Sequence, residues 1–228
     1  MTEDSLRAVF SRPTLDVAPE LLGMLLVRDA AGGRAEPSRR RVGRIVEVEA
    51  YLGPDDRASH ARFGETARSR PMYGEAGRAY VYLVYGMYHC LNVVTGPTGV
   101  PHAILIRAVE PLEGIDAFRA ARIEAELRSR RSLGPADVER IRARIGRTPA
   151  ERLAAGPGLV GAAFSLDRSL TGSDLLDPTQ PVHLEARPAA SPAPRIETSK
   201  RRGIDFAGEP WVDRPWRFTI AGNASVSR

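Results

Sequence analysis

The chain's 228 residues suffice to bury one substantial core, so a single domain spanning 1–228 is expected. A net charge of +5 and a pI near 9.8 favour a polyanionic partner, and because Lys200 is the only lysine, almost all positive charge is arginine. One cysteine, Cys90, excludes an internal disulfide and a multi-cysteine zinc site, which fits a reducing compartment.

The N-terminus opens acidic, and no segment approaches the roughly 20 apolar residues of a membrane span, so a soluble cytoplasmic protein is expected. Residues 1–20 read as an N-terminal extension with a first helix. The apolar run Leu21 to Val27, preceded by Asp16 and Pro19, predicts a capped helix feeding a buried strand. Arg28 to Arg41, with Gly32-Gly33 and Pro37, reads as a turn or loop before a strand from Val42 to Tyr51. Alternation there puts Val46, Val48 and Ala50 on a core face, and Ile45, Glu47, Glu49 and Tyr51 on a face open to chemistry. Leu52 to Gly77 is loop-like and carries Arg62, Arg68 and Arg70; long irregular segments in compact domains are often functional.

Four of the six tyrosines then fall between Tyr80 and Tyr88. Strands are predicted from Tyr80 to Val84, from His89 to Thr95 and from Ala103 to Val109, with a bend near Gly86 and a turn at Gly96-Pro97-Thr98-Gly99. Such short connections imply an antiparallel sheet. From Glu110 to Arg147 the pattern is helical and charged, and 115–155 reads as a charged helical insertion with a solvated face. Thr148-Pro149-Ala150-Glu151 has the form of a capping box, predicting a short helix that stops at Gly156-Pro157-Gly158, with another from Leu159. Ala186 to Pro194 reads as a loop and Trp216 to Ile220 as a last strand. The class expected is α+β, a mainly antiparallel sheet surrounded by helices.

Glu47 and Glu49 are i, i+2 on an apolar strand, so their side chains share a face and one could serve as a general base. A base that deprotonates water must stay ionised, which a neighbouring guanidinium ensures; Arg107, on an otherwise apolar strand, is the candidate, or else a surface arginine of a half-exposed strand. His60 could orient water or contact a base, or be an ordinary loop histidine. No metal-binding, Walker-type or dinucleotide motif occurs, so no cofactor and no metal are expected. In the tyrosine hairpin Tyr80, Tyr82 and Val84 share a face, and Tyr85 at the bend is placed to project as a wedge, as in proteins that unstack or flip bases. An aromatic-rich sheet core is the alternative.

Arg44-Ile45-Val46-Glu47-Val48-Glu49-Ala50-Tyr51-Leu52-Gly53-Pro54-Asp55-Asp56 with Ala58-Ser59-His60, then Tyr80-Val81-Tyr82, Tyr85-Gly86-Met87-Tyr88, Cys90 and Asn92, and Arg107 to Gly114, resemble in order the alkyladenine (3-methyladenine) DNA glycosylase family. Gly156-Pro157-Gly158, Gly203 to Glu209 and Arg217-Phe218 continue the resemblance. It implies one domain around a curved antiparallel sheet and a cofactor-free, monofunctional enzyme. Such an enzyme flips alkylated or deaminated purines out of duplex DNA and hydrolyses the N-glycosidic bond, initiating base excision repair. By position, Glu49 resembles the general base, and Arg107 and His60 its partners. Tyr51, Tyr82 and His60 resemble the base-binding residues, Asn92 the position that crowds guanine's exocyclic amine, and Tyr85 the intercalating tyrosine. The partner implied is damaged double-stranded DNA, met by a monomer in the cytoplasm, associated with the nucleoid if bacterial, and with no membrane involved.

The chain departs from the family's usual pattern at Ser69, commonly asparagine, at Tyr73, commonly phenylalanine, at Ala76, commonly proline, and at Arg202, commonly aliphatic. The stretch from about Arg122 to Thr148 is longer than usual and reads as surface helix able to add phosphate contacts. A non-catalytic damaged-nucleic-acid-binding module is the rival reading, although it leaves Glu49, Arg107 and His60 at family spacing unexplained. A carbohydrate hydrolase fits poorly, because side chains two apart on one strand lie roughly 7 Å apart and point in parallel, not across a sugar.

Overall fold

The computed structural model describes residues 3–29, 39–130 and 132–228, so the loop expected around Gly32-Gly33 and Pro37 lies outside the described residues. The helices are α1 (Glu3–Phe10), α2 (Thr14–Leu21), α3 (Ile115–Ser129), α4 (Pro135–Gly146) and α5 (Pro157–Ala163). The strands are β1 (Leu25–Arg28), β2 (Arg41–Leu52), β3 (Ala79–Val84), β4 (Tyr88–Thr95), β5 (His102–Glu113), β6 (Val182–Glu185), β7 (Ile196–Ser199) and β8 (Arg217–Ile220). All pairings are antiparallel, in the order β3-β4-β5-β2-β1-β6, with β7 on β8 and β8 on β2. The fold is thus the α+β arrangement expected, a curled antiparallel sheet with helices around it.

The two-residue period of a strand divides this sheet chemically. Ala79 and Val81 of β3, Leu91 and Val93 of β4, Ile104 and Ile106 of β5, and Val48 and Ala50 of β2 enter the main core with Leu21 of α2, Phe118 of α3 and Val160 of α5. Residues of opposite phase, Tyr80 and Tyr82, Cys90 and Asn92, Ala103, Leu105 and Arg107, face a cavity instead.

Alternation misplaces Ile45, expected on the chemical face; it is fully buried in the main core. The ladder explains why. Ile45 pairs with Val109, Glu47 with Ala108 and Val48 with Ile106, so Val46 and Arg107 are each one residue extra in their strands. Bulges of this kind reverse the phase of a strand and re-aim a side chain. Here they bring Ile45 and Val109 into the core and turn Arg107 toward the two glutamates.

The charged stretch after β5 also differs from its reading. Glu110 to Glu113 still belong to the strand, and the helical part is two helices, the first ending at Ser129 and the second starting at Pro135. Gly114 makes the change of direction at φ 78, where an added Cβ would stand 2.0 Å from the Arg40 carbonyl oxygen. Thr148 caps no helix; its hydroxyl donates back to the Arg144 carbonyl at 3.1 Å, closing α4, and only a 3-10 turn at Ala150–Arg152 follows.

Candidate active site

The cavity holds about 370 Å³ and is walled by Tyr51, His60, Tyr80, Tyr82, Asn92 and Arg107, among others. One row across the sheet builds much of it, because Tyr80 pairs with Asn92, Asn92 with Leu105, Leu105 with Glu49, and Glu49 with Arg217. Glu49 is fully buried beside this cavity. Its Oε2 accepts from Arg107 Nη1 at 3.1 Å and from the Tyr51 hydroxyl at 2.9 Å, and its Oε1 from the Arg202 peptide N–H at 2.8 Å. Burial opposes the charge on Arg107, but the carboxylates of Glu49 and Glu47 outweigh it and hold its pKa above the usual arginine value.

Glu47 is equally buried and more heavily engaged. It accepts from Arg107 Nε at 2.8 Å, from Arg217 Nε at 2.7 Å, and from Ser227 N and Oγ at 2.7 and 2.8 Å. Burial would raise its pKa, yet Arg107, Arg217 and Ser227 together hold it below the ordinary carboxylate value.

The aromatic wall is electrically neutral near pH 7. Burial pushes the Tyr80 phenol up to about 12 and raises Tyr82; burial and then the Glu49 charge raise Tyr51. Burial, with Arg68 and Arg62 adding repulsion, lowers His60 to about 4. The His60 Nδ1 shares a 2.8 Å hydrogen bond with the Tyr80 hydroxyl, and its ring meets Tyr82 edge-on at 4.5 Å. The structure therefore brings Glu49, Arg107 and Tyr51 into one hydrogen-bonded cluster, and His60 into the aromatic wall. The Asn92 Nδ2 donates to the Tyr80 carbonyl at 3.0 Å, which fixes the amide in the cavity lining.

Tyr85 also lines the cavity mouth and is 85% exposed at the tip of the β3–β4 hairpin. It and Gly86 take φ of 52° and 69°, and the Met87 N–H closes on the Val84 carbonyl at 3.2 Å. Two successive positive φ values are the pattern of a type I′ hairpin turn. The tip thus holds its tyrosine clear of the sheet.

Several supporting residues had no signal in strand pattern. The Arg201 guanidinium, fully buried, grips both Asp56 oxygens at 2.6 and 2.9 Å and lies 4.7 Å from the Tyr51 ring centroid. That pair ties the loop after β2 to the segment whose next amide holds Glu49. Arg68 lies 5.4 Å from the Tyr82 ring centroid. Ser69, one of the departures from the usual pattern, is fully buried; its hydroxyl accepts from Thr66 N at 2.9 Å and donates to the Gly64 carbonyl at 2.8 Å. Serine thereby pins the loop. Among the described residues no group of three His, Cys, Asp or Glu gathers as a metal site, and no helix is long and apolar enough to cross a membrane.

A sequence model of the methylpurine-DNA glycosylase family matches residues 8–224. A protein of Anaeromyxobacter sp. (strain Fw109-5), bearing the name of a 3-methyladenine DNA glycosylase, is 42% identical over 97% of this chain and 91% of its own length. Proteins with the same name from Methanocella arvoryzae and Bacillus cereus (strain G9842) are 40% and 39% identical, over 97% and 94% of this chain and 94% of each relative. A match of this extent, joined to the cluster around Glu49, makes the chain a member of the methylpurine-DNA glycosylase family, enzymes that hydrolyse N-glycosidic bonds in DNA.

Proposed function

We propose that the cavity receives a damaged purine of the 3-methyladenine class rotated out of duplex DNA, and that Glu49 activates the water that displaces it from C1′. The observation that carries this reading is a fully buried carboxylate bonded to Arg107 at 3.1 Å and to the Tyr51 hydroxyl at 2.9 Å, two side chains that themselves line the aromatic pocket. An alkylated purine carries positive charge, which tyrosine faces attract, and a neutral His60 adds no repulsion. The same charge makes the base a good leaving group, so the protein needs to supply an aimed water and negative charge near the oxocarbenium-like sugar.

Each residue has a part in this scheme. Tyr51 and Tyr82 sandwich the base, with His60 beside it. The fixed Asn92 amide crowds the exocyclic amine of undamaged guanine. Tyr85 fills the space the flipped nucleotide leaves, and its exposure suits a side chain whose partner is DNA. Lyase chemistry through Lys200 is disfavoured, because its ammonium pairs with Asp213, whose hydrogen bond and charge hold the amine protonated. The scheme needs no cofactor and one copy of the chain, acting in the compartment that holds the DNA, the cytoplasm.

Glu49→Gln tests the assignment directly. With duplexes carrying 3-methyladenine or hypoxanthine, single-turnover base release should fall at least about 100-fold, while affinity for abasic-site analogue duplex stays within about twofold. Retained base release would remove Glu49 from the role of base. Lesion binding by the wild-type chain without any release would favour a binding module.

A further inference from the structure

We propose that the segment Asn223–Ser227 is a strap that positions the Arg107–Glu49 pair by acting through Glu47, with Ser227 as its point of contact. The inference rests on the reading of Glu49 as the base. Arg107 lies between two fully buried carboxylates, with Nε on Glu47 at 2.8 Å and Nη1 on Glu49 at 3.1 Å. A cation so placed moves toward whichever anion is less compensated.

Glu47 is compensated by other donors. Arg217 Nε at 2.7 Å, Ser227 N at 2.7 Å and Ser227 Oγ at 2.8 Å satisfy much of its capacity. Without the two from Ser227, Glu47 would draw the guanidinium closer and turn it from Glu49. The same saturation gives Glu47 a positioning role: a carboxylate already accepting four hydrogen bonds is poorly placed to take a proton from water.

The strap is anchored from outside the site. Arg152 Nη1 donates to the carbonyls of Ala224 and Val226, both at 3.0 Å, and Asn223 Nδ2 donates to Glu110 at 2.9 Å. Ser225 N and Val226 N close back on Asn223 at 2.8 and 3.2 Å. Ser227 bonds Glu47, and Glu47 bonds the inner Nε of Arg107, so their influence passes through the Arg107–Glu49 pair and should reach the rate while sparing the binding of DNA.

Three substitutions at one position separate these effects. Ser227→Ala removes one donor and should slow single-turnover base release about 5-fold; Ser227→Pro removes both and should slow it about 30-fold. Ser227→Thr keeps both and should restore the rate, and in all three the affinity for abasic-analogue duplex should stay within about twofold. Arg152→Ala, which frees the strap at its other side, should give the same loss confined to rate, and serves if Ser227→Pro does not fold. Normal rates in the folded Ala and Pro variants, or losses shared equally by affinity, would overturn the strap. Glu49→Gln run in parallel keeps the two ideas apart: an inactive Glu49→Gln beside a normal Ser227→Pro refutes the strap alone, whereas an active Glu49→Gln refutes the reading beneath it.

Discussion

His60 enters the pocket as a neutral ring because burial and the guanidiniums of Arg68 and Arg62 all oppose its proton. Its folded pKa of about 4 lies below the unfolded value, so the unfolded chain takes up the proton first as pH falls. The associated stability is fully present above pH 6.5 and is lost progressively down to about pH 4, on the order of 3 kcal/mol in all. Urea denaturation at pH 7 and pH 4.5 should show the wild-type chain losing more stability across that interval than His60→Gln. Equal losses would mean that the ring is not held neutral. Sequence could nominate His60 but not its charge state, which depends first on burial against Tyr80 and Tyr82 of β3 and then on Arg68 and Arg62 of its own loop.

The hairpin of β3 and β4 was the most legible element, because alternation and the Tyr85-Gly86 pair fix both its faces and its turn. Helix α5 supports the returning strand at very short range: a Cβ on Gly161 would stand 1.9 Å from the His89 carbonyl oxygen, and one on Gly158 would stand 2.7 Å from the Tyr88 ring. A tip backed so closely can carry an exposed aromatic ring without collapsing. Tyr85→Ser should therefore leave the fold intact, weaken binding to lesion duplex about 10-fold, and weaken binding to the same lesion in a single strand much less. Fluorescence anisotropy with the two substrates measures this, and equal losses on both would contradict a wedge. Elsewhere the pattern misled for physical reasons. The extra residues Val46 and Arg107 reverse a strand's phase without any signature in composition. The Thr148 hydroxyl satisfied a carbonyl behind it instead of an amide ahead.

Across the whole molecule the question is which arginines are available to DNA, since the net charge of +5 counts only the excess. On α3 and α4 the guanidiniums are largely answered locally: Arg128 by Glu124, Arg130 and Arg144 by Glu126, Arg140 by Asp137 and Arg142 by Glu139. On the cavity side, Arg202 lines the mouth, and beside Phe206, another lining residue, Arg62 lies 4.5 and 4.9 Å from the centroids of the exposed Phe63 and Phe206 rings and donates to the Arg57 carbonyl; neither arginine makes an ion pair among the described residues. A guanidinium that already holds a carboxylate releases few counterions when a phosphate approaches, whereas an unpaired one at the mouth releases about one. The salt dependence of duplex affinity should thus lose about 0.9 in slope for Arg202→Ala and again for Arg62→Ala, and be nearly unchanged for Arg140→Ala and Arg142→Ala. A slope carried mainly by the α4 substitutions would place the phosphate backbone across the helical insertion, as its arginine content alone suggests, and would move the DNA away from the mouth where Tyr85 stands.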